Sequence, residues 1–288
     1  MRNPLIPLGV PSAAAALGAP LGAAVLLFLS ILAIPLVGHA QNGLGNGGDP
    51  RPRRSGRPAP RTVDGRALLG STTEEKGVWL PDNPFIPNAL GMPAEADLPF
   101  QPWARALHAS RRTNPLEPHT RCKPSGGPRV FLTPYGVEIV ELPELQRIYI
   151  FDIGGPHTFR TIYMDGRTHP RKLEPDYYGH SIGRWEGDTL VVDTVGFNER
   201  FWFDRSGLPH TNQLHTLERF TRTDLDTLRY ELTIDDPGAY TAPFSGRLVL
   251  LMEADTELFE YVCQQSNYAS ELMVGDGTSI DRSSAIVP

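Results

Sequence analysis

The chain predicts an all-β fold: an antiparallel β-barrel, or a sandwich, of about ten short strands. Three observations carry this. From Arg129 onward the sequence falls into short runs rich in Val, Ile, Leu, Tyr and Phe, divided by Gly-, Pro- and Asp-containing turns. Leu228-Arg229-Tyr230-Glu231-Leu232-Thr233-Ile234 alternates strictly, which puts Leu228, Tyr230, Leu232 and Ile234 on a core face and the other three toward water. The connections are mostly of hairpin length, so consecutive strands pair as neighbours, and closing such a meander into a barrel removes its exposed edges.

The elements follow in order. Arg129–Thr133 and Val137–Leu142 pair around Pro134-Tyr135-Gly136, and Leu145–Asp152 and Thr158–Met164 around Gly154-Gly155-Pro156. Asp165-Gly166 ends that hairpin, and a loop runs through Arg167–Gly179. Ser181–Trp185 and Thr189–Val195 flank Glu186-Gly187-Asp188; Gln213–Arg222, Leu228–Ile234, Arg247–Glu253 and Leu258–Cys263 complete the set. Asp-Thr stands just before a strand at 188–189, 226–227 and 255–256, a repeat of local turn chemistry, since an Asp side chain bonds its own backbone.

Ahead of this body lie three segments of different character. Residues 1–40 read as a signal peptide: Arg2 is their only charge, Leu21–Val37 is almost wholly apolar, and Gly38 and Ala40 are small residues placed for cleavage before Gln41. An uncleaved anchor is the alternative, because the run approaches spanning length; membrane contact is expected only through this segment. Residues 41–76, rich in Gly, Pro and Arg, read as a disordered linker. Residues 77–128 read as an irregular wrap holding one short helix, Pro102–Arg112, with Pro102 in its first turn and Trp103, Ala106 and Leu107 sharing a face. The barrel domain is placed at 129–268 and a C-terminal tail at 269–288.

The formal charge of −6 argues against nucleic acid as a partner, since phosphate binding wants a basic patch. Only two cysteines occur, Cys122 and Cys263. In an oxidising compartment such a pair is most simply one disulfide, closing a loop of roughly 140 residues and contributing about 4 kcal/mol in the chain-entropy account. Two free thiols, or a nucleophilic Cys, are the alternative.

No standard catalytic motif is present: there is no GxSxG, HExxH, CxxC or glycine-rich phosphate loop. Candidates are therefore polar residues that break the local pattern. His180 ends a loop and opens a strand, where an imidazole reaches a barrel mouth or bonds a backbone carbonyl. Asp204 follows Phe201-Trp202-Phe203, which reads as a ligand lid or as a plug with Asp204 capping backbone amides. Glu218 shares the inward face of its strand with Phe220, and a buried carboxylate needs a partner, an Arg or a His from a neighbouring strand. Beside His180 it would form an acid–base pair. His157, His169, His180, His210 and His215 are scattered without fixed ligand spacing, so no metal site is assigned.

The run Gly179-His180-Ser181-Ile182-Gly183-Arg184-Trp185-Glu186-Gly187-Asp188-Thr189-Leu190-Val191-Val192-Asp193-Thr194 resembles a family of exported bacterial proteins. The likeness continues through Leu217–Phe220, Thr233–Pro237 and Glu260–Cys263, and it implies export and a shared fold rather than a reaction. A looser similarity of strand order and of the Trp185-Glu186-Gly187 hairpin is to lipocalin-like or calycin-like barrels.

These readings give an exported barrel that binds a small, largely apolar organic molecule, without a cofactor. Tyr149, Tyr163, Trp185, Phe201, Trp202, His210 and Tyr230 are the expected pocket or lid residues, with His180, Asp204 and Glu218 as polar anchors. A cofactor-independent hydrolase or lyase using His180 with Asp204 or Glu218 is the second expectation. A structural or surface-interaction protein of the envelope is the third.

Overall fold

The computed structural model describes residues 56–82, 89–113, 117–152, 154, 156–259 and 263, all within one compact unit, 40–288. The expected signal peptide, the first part of the expected linker and the C-terminal tail lie outside the described residues. No helix among the described residues is long and apolar enough to cross a membrane.

Nine strands close into a barrel in chain order: β1 (Gly77–Pro81), β2 (Val137–Leu142), β3 (Arg147–Asp152), β4 (Thr158–Tyr163), β5 (His180–Glu186), β6 (Thr189–Val195), β7 (His215–Arg222), β8 (Thr227–Asp235) and β9 (Phe244–Ala254). The barrel class and eight of the ten expected strands, β2 to β9, the last longer than expected, are as the sequence predicts. One helix, α1 (Pro102–Thr113), also lies where predicted. Its buried face is Ala104 and His108, however, and Trp103 is exposed, its indole Nε1 donating to the carbonyl of Gly238 at 2.9 Å.

Several expectations are corrected. Arg129–Thr133 is not a strand: Gly127–Leu132 forms a wholly buried 3-10 turn that sends Phe131 against Phe220 and Tyr230. A short apolar run does not by itself distinguish a strand from another buried segment, and here Gly126 precedes it with φ 73°, a conformation that glycine adopts without cost. A Cβ on Gly126 would lie 2.4 Å from the ring of Phe201. The first strand is instead β1, from the segment read as irregular wrap. All five of its residues are buried, so it lacks the alternation that marks a one-sided strand.

Residues 56–76 do not behave as a solvated linker. Ala67 and Leu69 are fully buried, Leu69 N–H donates to Glu141 at 2.7 Å, and Asp188 accepts from Arg61 and from the Ala67 amide. Leu258 and Phe259 lie outside any strand. The disulfide is present, with Cα atoms 5.5 Å apart. It ties the 3-10 turn Pro118–Arg121 to the chain beyond β9 rather than to a last strand.

The sheet is also not antiparallel throughout. The long connection 164–179 returns the chain so that β5 runs parallel to β4, and the two share only the pairs Ile162↔Ser181 and Tyr163↔Ile182. Polar side chains bridge this thin seam from inside. Arg160 of β4 donates from Nε to Ser181 of β5 at 2.9 Å and from Nη2 to Thr194 of β6 at 2.7 Å, and it makes a two-pronged ion pair with Glu218 of β7. Tyr230 of β8 donates to the same carboxylate at 2.9 Å. Arg160 and Glu218 are each 1 % exposed.

Breaking a buried pair leaves a charge with no partner, at a cost of about 3–5 kcal/mol. Glu218→Ala is therefore expected to lower unfolding free energy by about that amount, read by urea denaturation with far-UV circular dichroism. A loss below about 1 kcal/mol would show that water or rearrangement compensates Arg160.

Candidate functional site

The expected site residues fall into three separate groups. Glu218 and Tyr230 belong to the interior network. Trp185 faces inward at the end of β5, with the Arg66 guanidinium 4.1 Å above its ring. Phe201, Trp202, His210 and Asp204 form a second group. Phe201 packs on His210 with ring centroids 4.1 Å apart, and Trp202 lies under Arg111 at 4.9 Å. His210 Nε2 faces the carbonyl of Phe201 at 3.0 Å, and burial holds its imidazole below the ordinary pKa. Asp204 accepts from the amides of Ser206, Gly207 and Leu208. That is the turn-capping arrangement, with both of its oxygens also taken by Ser206 Oγ.

His180, Tyr163 and Tyr149 make the third group, and they face outward. Strand alternation explains the separation: Ser181 on β5 and Glu218 on β7 point into the barrel, so His180 and His215 stand on the other side. His180 and Glu218 are thus not brought together.

On this outer face three strands and one loop assemble a cluster. Asp193 of β6 lies opposite Ile182 of β5 and Leu217 of β7. His180 and His215 therefore occupy the two diagonal positions beside it, both within side-chain reach. His169 comes down from the 164–179 connection between them. Its Nε2 is 2.9 Å from Asp193 Oδ1 and its Nδ1 is 2.8 Å from His180 Nδ1. His215 Nε2 is 3.1 Å from the same Asp193 oxygen. Tyr163 stacks on His180, with centroids 5.1 Å apart and planes 21° from parallel. Gly179 makes the approach possible: its φ is 64°, and a Cβ there would meet the carbonyl oxygen of Val195 at 2.6 Å.

Hydrogen-bond chemistry narrows the proton positions in this chain. An ionised carboxylate only accepts, so His169 presents Nε2–H and His215 presents Nε2–H to Asp193. In the tautomer with His169 neutral, its Nδ1 carries the lone pair and His180 donates Nδ1–H to it. Nε2 of His180 is left as a lone-pair base, and no hydrogen bond to that atom occurs among the described residues. Partial burial, then His169, holds the imidazole of His180 below its ordinary pKa. Among the described residues no group of three or more His, Cys, Asp and Glu side chains has the geometry to hold a metal ion.

A second titrating cluster lies beneath the Pro118–Arg121 turn. Asp152 accepts from Ser125 Oγ at 2.8 Å and from the Gly154 amide at 2.8 Å, and Ser125 also contacts His119 Nδ1 at 3.2 Å. Burial pushes the Asp152 carboxyl up to about 6. Burial, helped by Arg129, brings His119 down to about 4.

Comparison with protein-family models, with curated proteins and with solved structures finds no match for the chain. Asp193 was not among the expected site residues, and His169 and His215 were weighed only as histidines without ligand spacing. Asp193 sits in an apolar run as one more outward position, and the arrival of His169 depends on the path of a loop.

Asp152 binds its proton more tightly folded than unfolded, so its contribution to stability falls as pH rises from about 4 to above 6. Asp152→Asn removes that fall. Its unfolding temperature relative to the parent protein is expected to be higher at pH 7.5 than at pH 4.5, by thermal denaturation. An equal difference at both values would show that Asp152 is ionised throughout.

Proposed function

We propose that the protein is an acid–base enzyme, a hydrolase or lyase working without an organic cofactor, with His180 as the proton acceptor. The observation that carries this is the unbroken chain from Asp193 through His169 to His180, at 2.9 and 2.8 Å. In the assigned tautomers Nε2 of His180 takes a proton from water, releasing hydroxide toward an electrophilic carbon, or takes it from an acidic carbon next to a leaving group. The imidazolium so formed keeps Nδ1–H on His169, whose own Nε2–H rests on the Asp193 carboxylate. The carboxylate stabilises the positive charge without itself being protonated, the logic by which a carboxylate orients a catalytic histidine. Stacking on Tyr163 holds the ring in place.

The interior is a poorer setting for a ligand. Trp79, Phe131, Arg160, Phe220 and Tyr230 fill it, each with less than 2 % of its surface exposed. Export is the compartment this reading favours, supported by the N-terminal apolar segment and by the disulfide, which persists in oxidising surroundings.

Mass spectrometry of a bacterial metabolite extract, incubated with the oxidised protein and with two variants, tests the proposal. The parent protein should consume specific masses, giving products that differ by addition or loss of water or by elimination. His180→Ala and Asp193→Asn should slow this by about 10²–10⁴-fold. The acid limb of the rate profile should lie below the ordinary histidine value, because the pKa of His180 is lowered. Turnover that is equal in His180→Ala, or absent from all three proteins, would overturn the assignment.

A further inference from the structure

Next to the relay, the outer face of β2, β3 and β4 carries an apolar strip with opposite charges at its two ends. Antiparallel register sets side chains directly opposite on one face. The outward rows are thus Glu138, Val140 and Leu142 on β2, Phe151, Tyr149 and Arg147 on β3, and Phe159, Thr161 and Tyr163 on β4. Tyr149, Phe151 and Phe159 form a ring cluster with centroids 6.0–6.1 Å apart, and Phe159 is 55 % exposed. Residues 147 to 151 cover about 14 Å at the strand rise.

Charge gives this strip a direction. Glu138 stands at one end, opposite Phe151. Arg147 stands at the other, opposite Tyr163 and 5.5 Å from the centre of its ring. The guanidinium of Arg147 bonds only the hydroxyl of Tyr149, at 3.3 Å, and no carboxylate among the described residues lies within ion-pair distance of it. Nearby Arg167 differs, since Asp165 grips it with both oxygens.

We propose that this face binds an amphipathic anion, a free acyl carboxylate of about ten carbons, with its carboxylate on Arg147 and its chain along Tyr149, Phe151 and Phe159. The polarity of the strip sets the orientation: the reverse placement would put the anion beside Glu138 and leave Arg147 without a carboxylate. A guanidinium makes strong charge-assisted bonds to a carboxylate, and exposed aromatic rings supply the apolar contact. This goes beyond the acid–base reading. The two places share Tyr163, yet binding here is measured without turnover, so either proposal can fail alone.

Isothermal titration calorimetry of the full oxidised chain with decanoate, below its micelle concentration, tests this, with decanol as the neutral counterpart. Saturable decanoate binding is expected. Arg147→Gln, a surface change that leaves the strand pairing in place, should weaken it about tenfold while leaving decanol within about twofold. Phe159→Ser should weaken both ligands. Absence of saturable decanoate binding, or equal decanoate affinity in Arg147→Gln, would overturn the proposal. So would Arg147-dependent sedimentation with phosphatidylglycerol vesicles in the absence of decanoate binding, which would assign the face to a membrane surface.

Discussion

Closing a barrel demands that every strand find two neighbours, and this chain meets the demand unevenly. Most adjacent strands share six to eight residue pairs, whereas β4 and β5 share two and β1 and β2 share one. At the first thin place Arg160 spans the seam, and its partners lie on three successive strands, β5, β6 and β7. The guanidinium suits that task because its donors are fixed in a plane and reach several acceptors at once. At the second, Trp79 is held by residues beyond its two neighbouring strands: its Nε1 donates to the carbonyl of Leu69 at 2.9 Å, and the guanidinium of Arg222, at the end of β7, lies 4.9 Å from its ring. Arg222 in turn bonds the carbonyls of Leu68 and Gly70. Residues 56–76 thereby belong to the barrel's closure, which explains why a stretch with little apolar periodicity is nonetheless ordered.

What the sequence showed follows from where the information resides. Hairpins such as β5–β6 are written locally, in a turn at Glu186-Gly187-Asp188 and in apolar residues on either side, and their register agrees with that reading. The inward side of β7 and β8 was equally visible, because alternation assigns faces strand by strand. The direction of β5 relative to β4 was not visible. It depends on how the 164–179 connection crosses the barrel, and no local pattern encodes a crossing. β1 escaped notice for a related reason. Buried on both sides, with a glycine at one end and a proline at the other, it reads as loop.

The same division governs the candidate site. That Glu218 needs a partner was legible from a carboxylate on an inward face, but its identity was not, because Arg160 comes from across the parallel seam. His180 stood out as a residue, whereas its surroundings did not. Alternation puts His180, Asp193 and His215 on outward faces of three consecutive strands, and a register then makes them diagonal neighbours. The first fact is in the sequence; the second needs the pairing, and His169 needs the loop.

The parallel seam connects the two halves of this account. Had β5 followed β4 through a tight hairpin, no long connection would exist to carry His169 over the sheet, and Asp193 would hold His215 alone. The crossing that weakens the sheet is thus the feature that completes the outer cluster. Arg160 then serves the site indirectly, since it fixes β5, β6 and β7 from within at Ser181, Thr194 and Glu218. Each of those residues is the immediate chain neighbour of His180 or Asp193, or lies three positions beyond His215. A displacement of β5 by one residue would turn His180 inward and Ser181 outward, breaking the inner network and the outer relay together. Inner network and outer relay are therefore two sides of one register, and the stability of the first sets the geometry of the second.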